Sequence, residues 1–179
     1  VFPFSKPNSL METLIDQATE AQEGIILDFF AGSGTTAHSV LELNKKDGGT
    51  RKFILVQLPE PTERKDYPTI ADITKERVRR VIKRLNDEDA GKLDLDGGQR
   101  QDRGFRVFKL AESNFKPWNA EVPHDAPALE KQLELHVDHI RDGRTATDLL
   151  YEILLKSGFA LTTPVETLKL GGKTVHSVA

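Results

Sequence analysis

The residues best placed to do chemistry lie in the stretch "IILDFFAGSGTTAHSV", Ile25 to Val40. Three apolar residues, Ile25 to Leu27, run into Asp28, then come Phe29 and Phe30, then Gly32, Ser33, Gly34 and Thr35. A strand that ends on a carboxylate and continues through a glycine turn into a helix aims backbone N–H groups and a helix N-terminus at one point. Glycines there let the main chain adopt left-handed angles and approach a ligand closely. The carboxylate selects among ligands, since it attracts a cation and repels phosphate. A second apolar run, "KFILVQL", ends beside Gln57, whose amide can both donate to and accept from hydroxyls.

Three ligand readings are open at this point. Gly32-Ser33-Gly34-Thr35-Thr36-Ala37 formally fits the Gly-x-Gly-x-x-Gly/Ala pattern of dinucleotide sites. Against a nicotinamide or flavin dinucleotide stand the acid upstream of the glycines, two bulky rings in the turn, and Gln57 where an acidic ribose clamp is usual. S-adenosylmethionine answers these objections, because it carries an α-ammonium and a sulfonium and has no phosphate. Asp28 would accept from the ammonium, Gly32 and Gly34 would admit the methionine portion, and Gln57 would meet the ribose. The third reading is a tight βα turn without a ligand, since glycine turns recur in α/β folds.

The turn must be held by the elements around it. Asn8 or Ser9 is a candidate N-cap, with Glu12 at capping-box spacing from Ser9, for a helix whose apolar face is Leu10, Leu14 and Ile15. "GIILDFF" is continuously apolar, as in a strand buried on both faces of a parallel sheet. A helix from Thr35 to about Asn44, with Ala37, Val40 and Leu41 inward, leads to the strand Lys52–Leu58, completing a βαβ unit. After the proline-rich loop "PEPTERKDYP", Thr69 with Asp72 caps a long helix with a buried stripe of Ile70, Ile73, Val81, Ile82 and Leu85. Lys75, Arg77, Arg79, Arg80, Lys83 and Arg84 crowd its other faces. The run "NDEDAGKLDLDGGQRQDRG" reads as a mobile loop, and "FRVFKL" alternates like a strand. Further on, "LEKQLELHVDHIRDG" is amphipathic through Leu129, Leu133, Val137 and Ile140. "TATDLLYEILLKSG" is a helix stopped by Gly158, with Leu149, Leu150, Ile153 and Leu154 as core. "VETLKLGGKTVHSV" reads as two strands about Gly171-Gly172.

Composition bounds the partners. The 179 residues hold no cysteine, which excludes disulfides and Cys-based zinc sites and fits a reducing cytoplasm. A net charge of -3 (25 basic against 28 acidic residues) confines any nucleic-acid contact to a local patch such as the basic helix. No run approaches the ~18 apolar residues of a membrane span, so no membrane partner is expected. His136 and His139 are spaced to share a helix face, yet no second ligand cluster exists, and no metal is expected. The opening "VFPFSKPN" and the closing "GGKTVHSVA" both suggest a piece of a longer protein.

"DFFAGSGTT" resembles the cofactor-binding motif I of amino-group DNA methyltransferases. "FPFSKPNSLMETLI" resembles their motif X, and "RKFILVQLPEP" their motif II. Motif X before motif I is the β-class order. The continuation through "TIADITKERVRRVIKRL" to "GFRVFKLAESNFKPW" is similar to the modification (Mod) subunits of type III restriction-modification systems. The resemblance implies an α/β, Rossmann-like, S-adenosylmethionine-dependent methyltransferase fold, partial, with a small α+β appendage. Its cofactor-binding part would span 1–118 and a helical and hairpin region 119–179. It implies adenine-specific transfer of methyl to DNA, with cofactor residues Phe4, Lys6, Pro7, Asp28, Phe30, Gly32, Gly34, Thr35 and Gln57. Many relatives carry Glu where this chain has Gln57, and Glu60 is then the alternative clamp. The implied partners are double-stranded DNA through the full-length parent, the restriction (Res) subunit, and a second copy of the parent as an open alternative. No Asp/Asn-Pro-Pro-aromatic tetrapeptide, the family's catalytic motif, occurs in these residues, and "NFKPW" (Asn114 to Trp118) reads as a linker whose Trp118 packs on the core. No catalytic residue is therefore assigned, and the segment is expected to be inactive alone. The remaining alternative is a non-catalytic DNA-binding or assembly module.

Overall fold

Asn8 to Ala18 form helix α1 without the expected cap: Pro7 sits at the N-cap and no side chain there accepts from the helix. Ser9 is inside the helix, and its carbonyl instead accepts from Thr13 Oγ1 at 2.9 Å. The structure, a computed structural model, describes residues 5–90, 101–119, 121 and 125–178. It divides into two compact units, Val1–Arg106 and Val107–Ala179.

In the first unit, strand β1 (Ile25–Asp28) runs parallel to β2 (Lys52–Leu55), with Ile26 opposite Phe53 and Asp28 opposite Leu55. Helix α2 (Thr35–Asp47) connects them, so the expected βαβ unit is present. Gly48 ends α2 at φ +73°, and Lys45 and Lys46 lie in its last turn, where a cation suits the helix dipole. Asn44 then ties that end to β2, donating to the Arg51 carbonyl at 2.8 Å and accepting from its N–H at 3.2 Å. Both strands are shorter than the apolar runs suggest and only one face is covered. Ile26 and Phe53 pack under the helices, whereas Ile25 and Leu27 are 67% and 58% exposed. An apolar run shows that both faces can be buried; burial needs a layer on each, and among the described residues the helices lie on one.

Helix α3 (Ile70–Ala90) starts at the expected capping box. Thr69 N–H and Oγ1 both donate to Asp72 Oδ2, and the Asp72 N–H returns to Thr69 Oγ1. Its buried stripe is Thr74, Val78, Val81 and Leu85, one turn-step from the expected Ile70 and Ile73. Val78, Val81 and Leu85 close one core with Ala37 and Leu41, and Ile15, Val40 and Leu43 form another against α1. Burying each of these larger side chains stabilises by ~1.5–3 kcal/mol. Helix α2 is thus wedged between α1 and α3, which fixes where its N-terminus points. The expected loop after α3 falls largely on 91–100, outside the described residues, while 86–90 are helical. "FRVFKL" forms no ladder among the described residues; a strand needs a hydrogen-bonded neighbour, and Phe105 instead packs beside α3.

The second unit holds α4 (Ala126–Val137), α5 (Ala146–Lys156) and the antiparallel hairpin β3 (Val165–Leu170) and β4 (Lys173–Val178). Gly171 and Gly172 are both left-handed, as the two-residue hairpin turn requires. Thr145 and Asp148 form a capping box on α5, and Gly158 follows it at φ +82°. The apolar stripe expected to bury α4 does the opposite: Val137 is 84% exposed and Gln132 is buried, donating to Asn119 O at 2.9 Å. Trp118 likewise is half exposed, with its ring centroid 5.0 Å from that of His136. Residues 113–116 belong to this unit through bonds from Ser113 and Asn114 to Glu152 and a bridge from Phe115 to Ile140. The first unit ends at Arg106. No helix among the described residues is long and apolar enough to cross a membrane.

Candidate functional site

The glycine turn is anchored from β1, from the residues after β2 and from α3. Gly32 and Gly34 take φ +52° and +78°, the second serving as N-cap of α2 without a side-chain cap. Asp28, at the end of β1, holds the turn from below. Its Oδ1 accepts from the Phe30 N–H at 3.1 Å and its Oδ2 from Thr36 Oγ1 at 2.5 Å. The carboxylate is half-buried and makes no ion pair among the described residues. A carboxylate has about four lone-pair positions, so two donors leave acceptor capacity toward a cation.

Gln57 acts on the same turn from β2's continuation. Its Oε1 accepts from the Gly32 N–H at 2.7 Å, and its Nε2 donates to the Leu58 carbonyl at 3.1 Å, with Glu60 at 3.4 Å. Main-chain bonds from Ala31 to Val56 and from Val56 to Asp28 fasten the two strand ends together. From α3, Thr74 Oγ1 donates to the Gly32 carbonyl.

A second anchor was not legible as such. Arg77 leaves α3 toward the turn and donates to Ser33 Oγ at 2.8 Å, Thr35 Oγ1 at 2.9 Å and Asn8 Oδ1 at 2.9 Å. His38 completes the cluster. Its Nδ1 lies 2.8 Å from Asn8 Nδ2 and 3.2 Å from Arg77 Nη2, so it accepts, and Nε2 faces Glu42 and Arg84. Burial, reinforced by the Arg77 charge, holds the His38 imidazole below its ordinary pKa, with Glu42 opposing. Burial also lowers the Arg77 guanidinium from its usual value. The signal for Arg77 was its place: with Thr74, Val78 and Val81 it follows the helical period of the buried stripe.

The structure gathers Asp28, Gly32, Gly34, Thr35 and Gln57 around one turn. Phe30 borders it but is 78% exposed. Lys6 and Pro7 are exposed and lead into α1, and Phe4 lies outside the described residues. Three basic side chains of α3 are ion-paired on its surface, Lys75 to Asp72, Arg80 to Glu76 and Arg84 to Glu42. Among the described residues no cluster could hold a metal ion, and His139 stacks on Phe115.

Comparison with known proteins adds a direct line. Residues 1–83 match the family described as DNA methylase. The chain is 37% identical, over 186 aligned residues, to the Mod subunit of the type III restriction-modification enzyme EcoP15I of Escherichia coli, covering 98% of this chain and 25% of that protein. It is 32% identical to the EcoPI Mod subunit of Escherichia phage P1, covering 98% of this chain and 26% of that subunit. The type II methyltransferase M.KpnI of Klebsiella pneumoniae is 39% identical over 79 residues, 41% of this chain and 19% of that enzyme. The chain thus spans about a quarter of the length of the Mod subunits it matches.

Proposed function

We propose, from the match of residues 1–83 to the DNA methylase family and the similarity to Mod subunits, that the glycine turn is the S-adenosylmethionine site of a type III modification subunit. The observation that carries this reading is Asp28: a half-buried carboxylate without a cationic partner among the described residues, at the mouth of a turn with two left-handed glycines. That arrangement fits a phosphate-free cation. When bound, the cofactor supplies a methyl group on a sulfonium. Asp28 would hold the ammonium while keeping its bonds to Phe30 and Thr36. Gly32, Gly34 and Thr35 would line the methionine portion, and exposed Phe30 would cover an apolar edge. Lys6 and Pro7 would form the facing wall.

Gln57 takes a modified role in this proposal. Its oxygen is committed to Gly32, so it shapes the turn first, and the neighbouring Glu60, which accepts from Gln57 Nε2, is the proposed contact to ribose hydroxyls. The parent is proposed to methylate the adenine amino group in double-stranded DNA, together with a Res subunit. The Rossmann-like sheet would be completed outside the described strands. Because the Pro-Pro-aromatic tetrapeptide is not in this sequence, this segment is proposed to bind cofactor without transferring methyl.

Calorimetric titration of the full chain with S-adenosylhomocysteine and, separately, NAD tests the reading. Wild type should bind the first and not the second, and Asp28→Ala should weaken binding at least tenfold while Thr36→Val, which removes one internal bond, weakens it less. Binding of NAD alone, or undiminished binding by Asp28→Ala, would overturn it.

A further inference from the structure

Lys75, Arg80 and Arg84 of α3 each have a carboxylate partner, whereas Arg77 makes no ion pair among the described residues. Its half-buried guanidinium is instead bonded to neutral acceptors on two separate elements. On one side are Ser33 and Thr35, inside the glycine turn and at the start of α2. On the other is Asn8, the first residue of α1, directly after Lys6 and Pro7. Desolvating a cation against neutral partners costs more than pairing it with a carboxylate. A planar fork with several donors is, however, the one side chain that can fix two hydroxyls and an amide at a set spacing.

We infer that Arg77 is a positioning residue for the cofactor: it ties Asn8, directly after Lys6 and Pro7, to Ser33 and Thr35 of the glycine turn and sets the distance between these two segments. The inference rests on the S-adenosylmethionine reading and goes beyond it, since Arg77 touches no part of the proposed ligand. Three features of the geometry carry it. Both terminal nitrogens of the guanidinium are used, one on each wall. Asn8 is itself held in place by His38 of α2, at 2.8 Å, so the α1 wall is braced from two sides. Thr74, one turn earlier on α3, fastens the carbonyl of Gly32 in the same turn. Helix α3 therefore acts as a rigid strut behind both segments, and preorganising them lowers the ordering cost of binding.

The test is the dissociation constant of S-adenosylhomocysteine for the full chain and for Arg77→Gln, Arg77→Lys, Asn8→Ala and the Asn8→Ala/Arg77→Gln pair, each measured well below its own melting temperature. Arg77→Gln and Asn8→Ala should each weaken binding by about tenfold, and the pair by no more than the worse single variant, because both break one link. Arg77→Lys keeps the charge but not the fork, and should recover melting temperature more than affinity. Unchanged affinity in folded Arg77→Gln and Asn8→Ala, multiplicative losses in the pair, or full rescue of affinity by lysine would each overturn the inference while leaving the cofactor reading intact. Failure of wild type to bind would overturn both.

Discussion

Substituting Gly34 by alanine separates backbone strain from steric contact in the turn. Gly34 sits at φ +78°, and a Cβ built there would lie 3.0 Å from Thr74 Cγ2 and 3.4 Å from the Thr74 carbonyl oxygen. Gly48, at the other end of the same helix, has φ +73° with nothing within 4 Å of such a Cβ. Left-handed angles cost an L-residue ~1–2 kcal/mol, partly offset by the lower entropy of the unfolded chain with alanine, ~0.4–1 kcal/mol. Gly48→Ala should therefore destabilise by about 0.5–1 kcal/mol. Gly34→Ala adds the displacement of Thr74, whose hydroxyl is bonded to the carbonyls of Gly32 and Ile70. Overpacking of that kind costs ~1–3 kcal/mol, giving a total of about 2–4 kcal/mol. Urea denaturation followed by circular dichroism reads the difference. Thr74→Ser removes the offending methyl and keeps the hydroxyl, so in that background Gly34→Ala should fall to the cost of Gly48→Ala. If Gly34→Ala is no worse than Gly48→Ala, or if Thr74→Ser brings no relief, the packing of α3 against the turn is not as described.

Two pH dependences follow from charged groups held in place. His38 has its pKa depressed by burial and by Arg77, so between that value and ~6.5 the unfolded chain binds the proton that the folded chain refuses. Stability should be full above ~6.5 and fall as pH drops below it, and His38→Gln should flatten that slope in denaturation series from pH 7.5 to 5. Glu152 has its carboxyl lowered to about 2, first by Lys156 and then by Ser113 Oγ and the Asn114 N–H. Its contribution should be present above ~4.3 and be lost as pH falls toward 2, so Glu152→Gln should reduce the acid sensitivity of the second unit, followed by Trp118 fluorescence.

The sequence declared the parts of the fold whose signals are local. Glycine alone adopts left-handed angles without steric cost, so a Gly-x-Gly turn signals them locally, and Gly32 and Gly34 do stand left-handed. Thr69 with Asp72 satisfies orphan N–H groups within one turn, so the start of α3 could be read from two residues. The hairpin turn at Gly171-Gly172 is of the same kind. What could not be read was what covers a face. The period of Leu129, Leu133 and Val137 describes an apolar stripe, but the stripe of α4 is exposed, and Gln132 faces inward to reach a main-chain carbonyl. Alternation in "FRVFKL" shows two faces and supplies no neighbouring strand. Ser9 and Glu12 have capping-box spacing, yet the chain enters α1 two residues before Ser9, through Pro7.

The same division explains why the glycine pattern alone left three ligands open. Positive φ at Gly32 and Gly34 says that the main chain turns sharply, which suits a dinucleotide, a sulfonium nucleoside or no ligand at all. The form of the turn is imposed from a distance: Asp28 from β1, Gln57 beyond β2, Thr74 and Arg77 from α3. Three of these four anchors are neutral or cationic and are satisfied by the turn itself. Asp28 alone brings negative charge, and it does so without a cation beside it among the described residues. Any ligand chosen by this turn is therefore chosen electrostatically by Asp28 and sterically by the other three. An amide at position 57 is consistent with that division of labour: a carboxylate there would also accept the Gly32 N–H, but it would add a second negative charge to a turn that already needs one counter-ion. The proposed cofactor carries positive charge on its ammonium and its sulfonium, and with a neutral Gln57 committed to the Gly32 N–H the ammonium is left to Asp28.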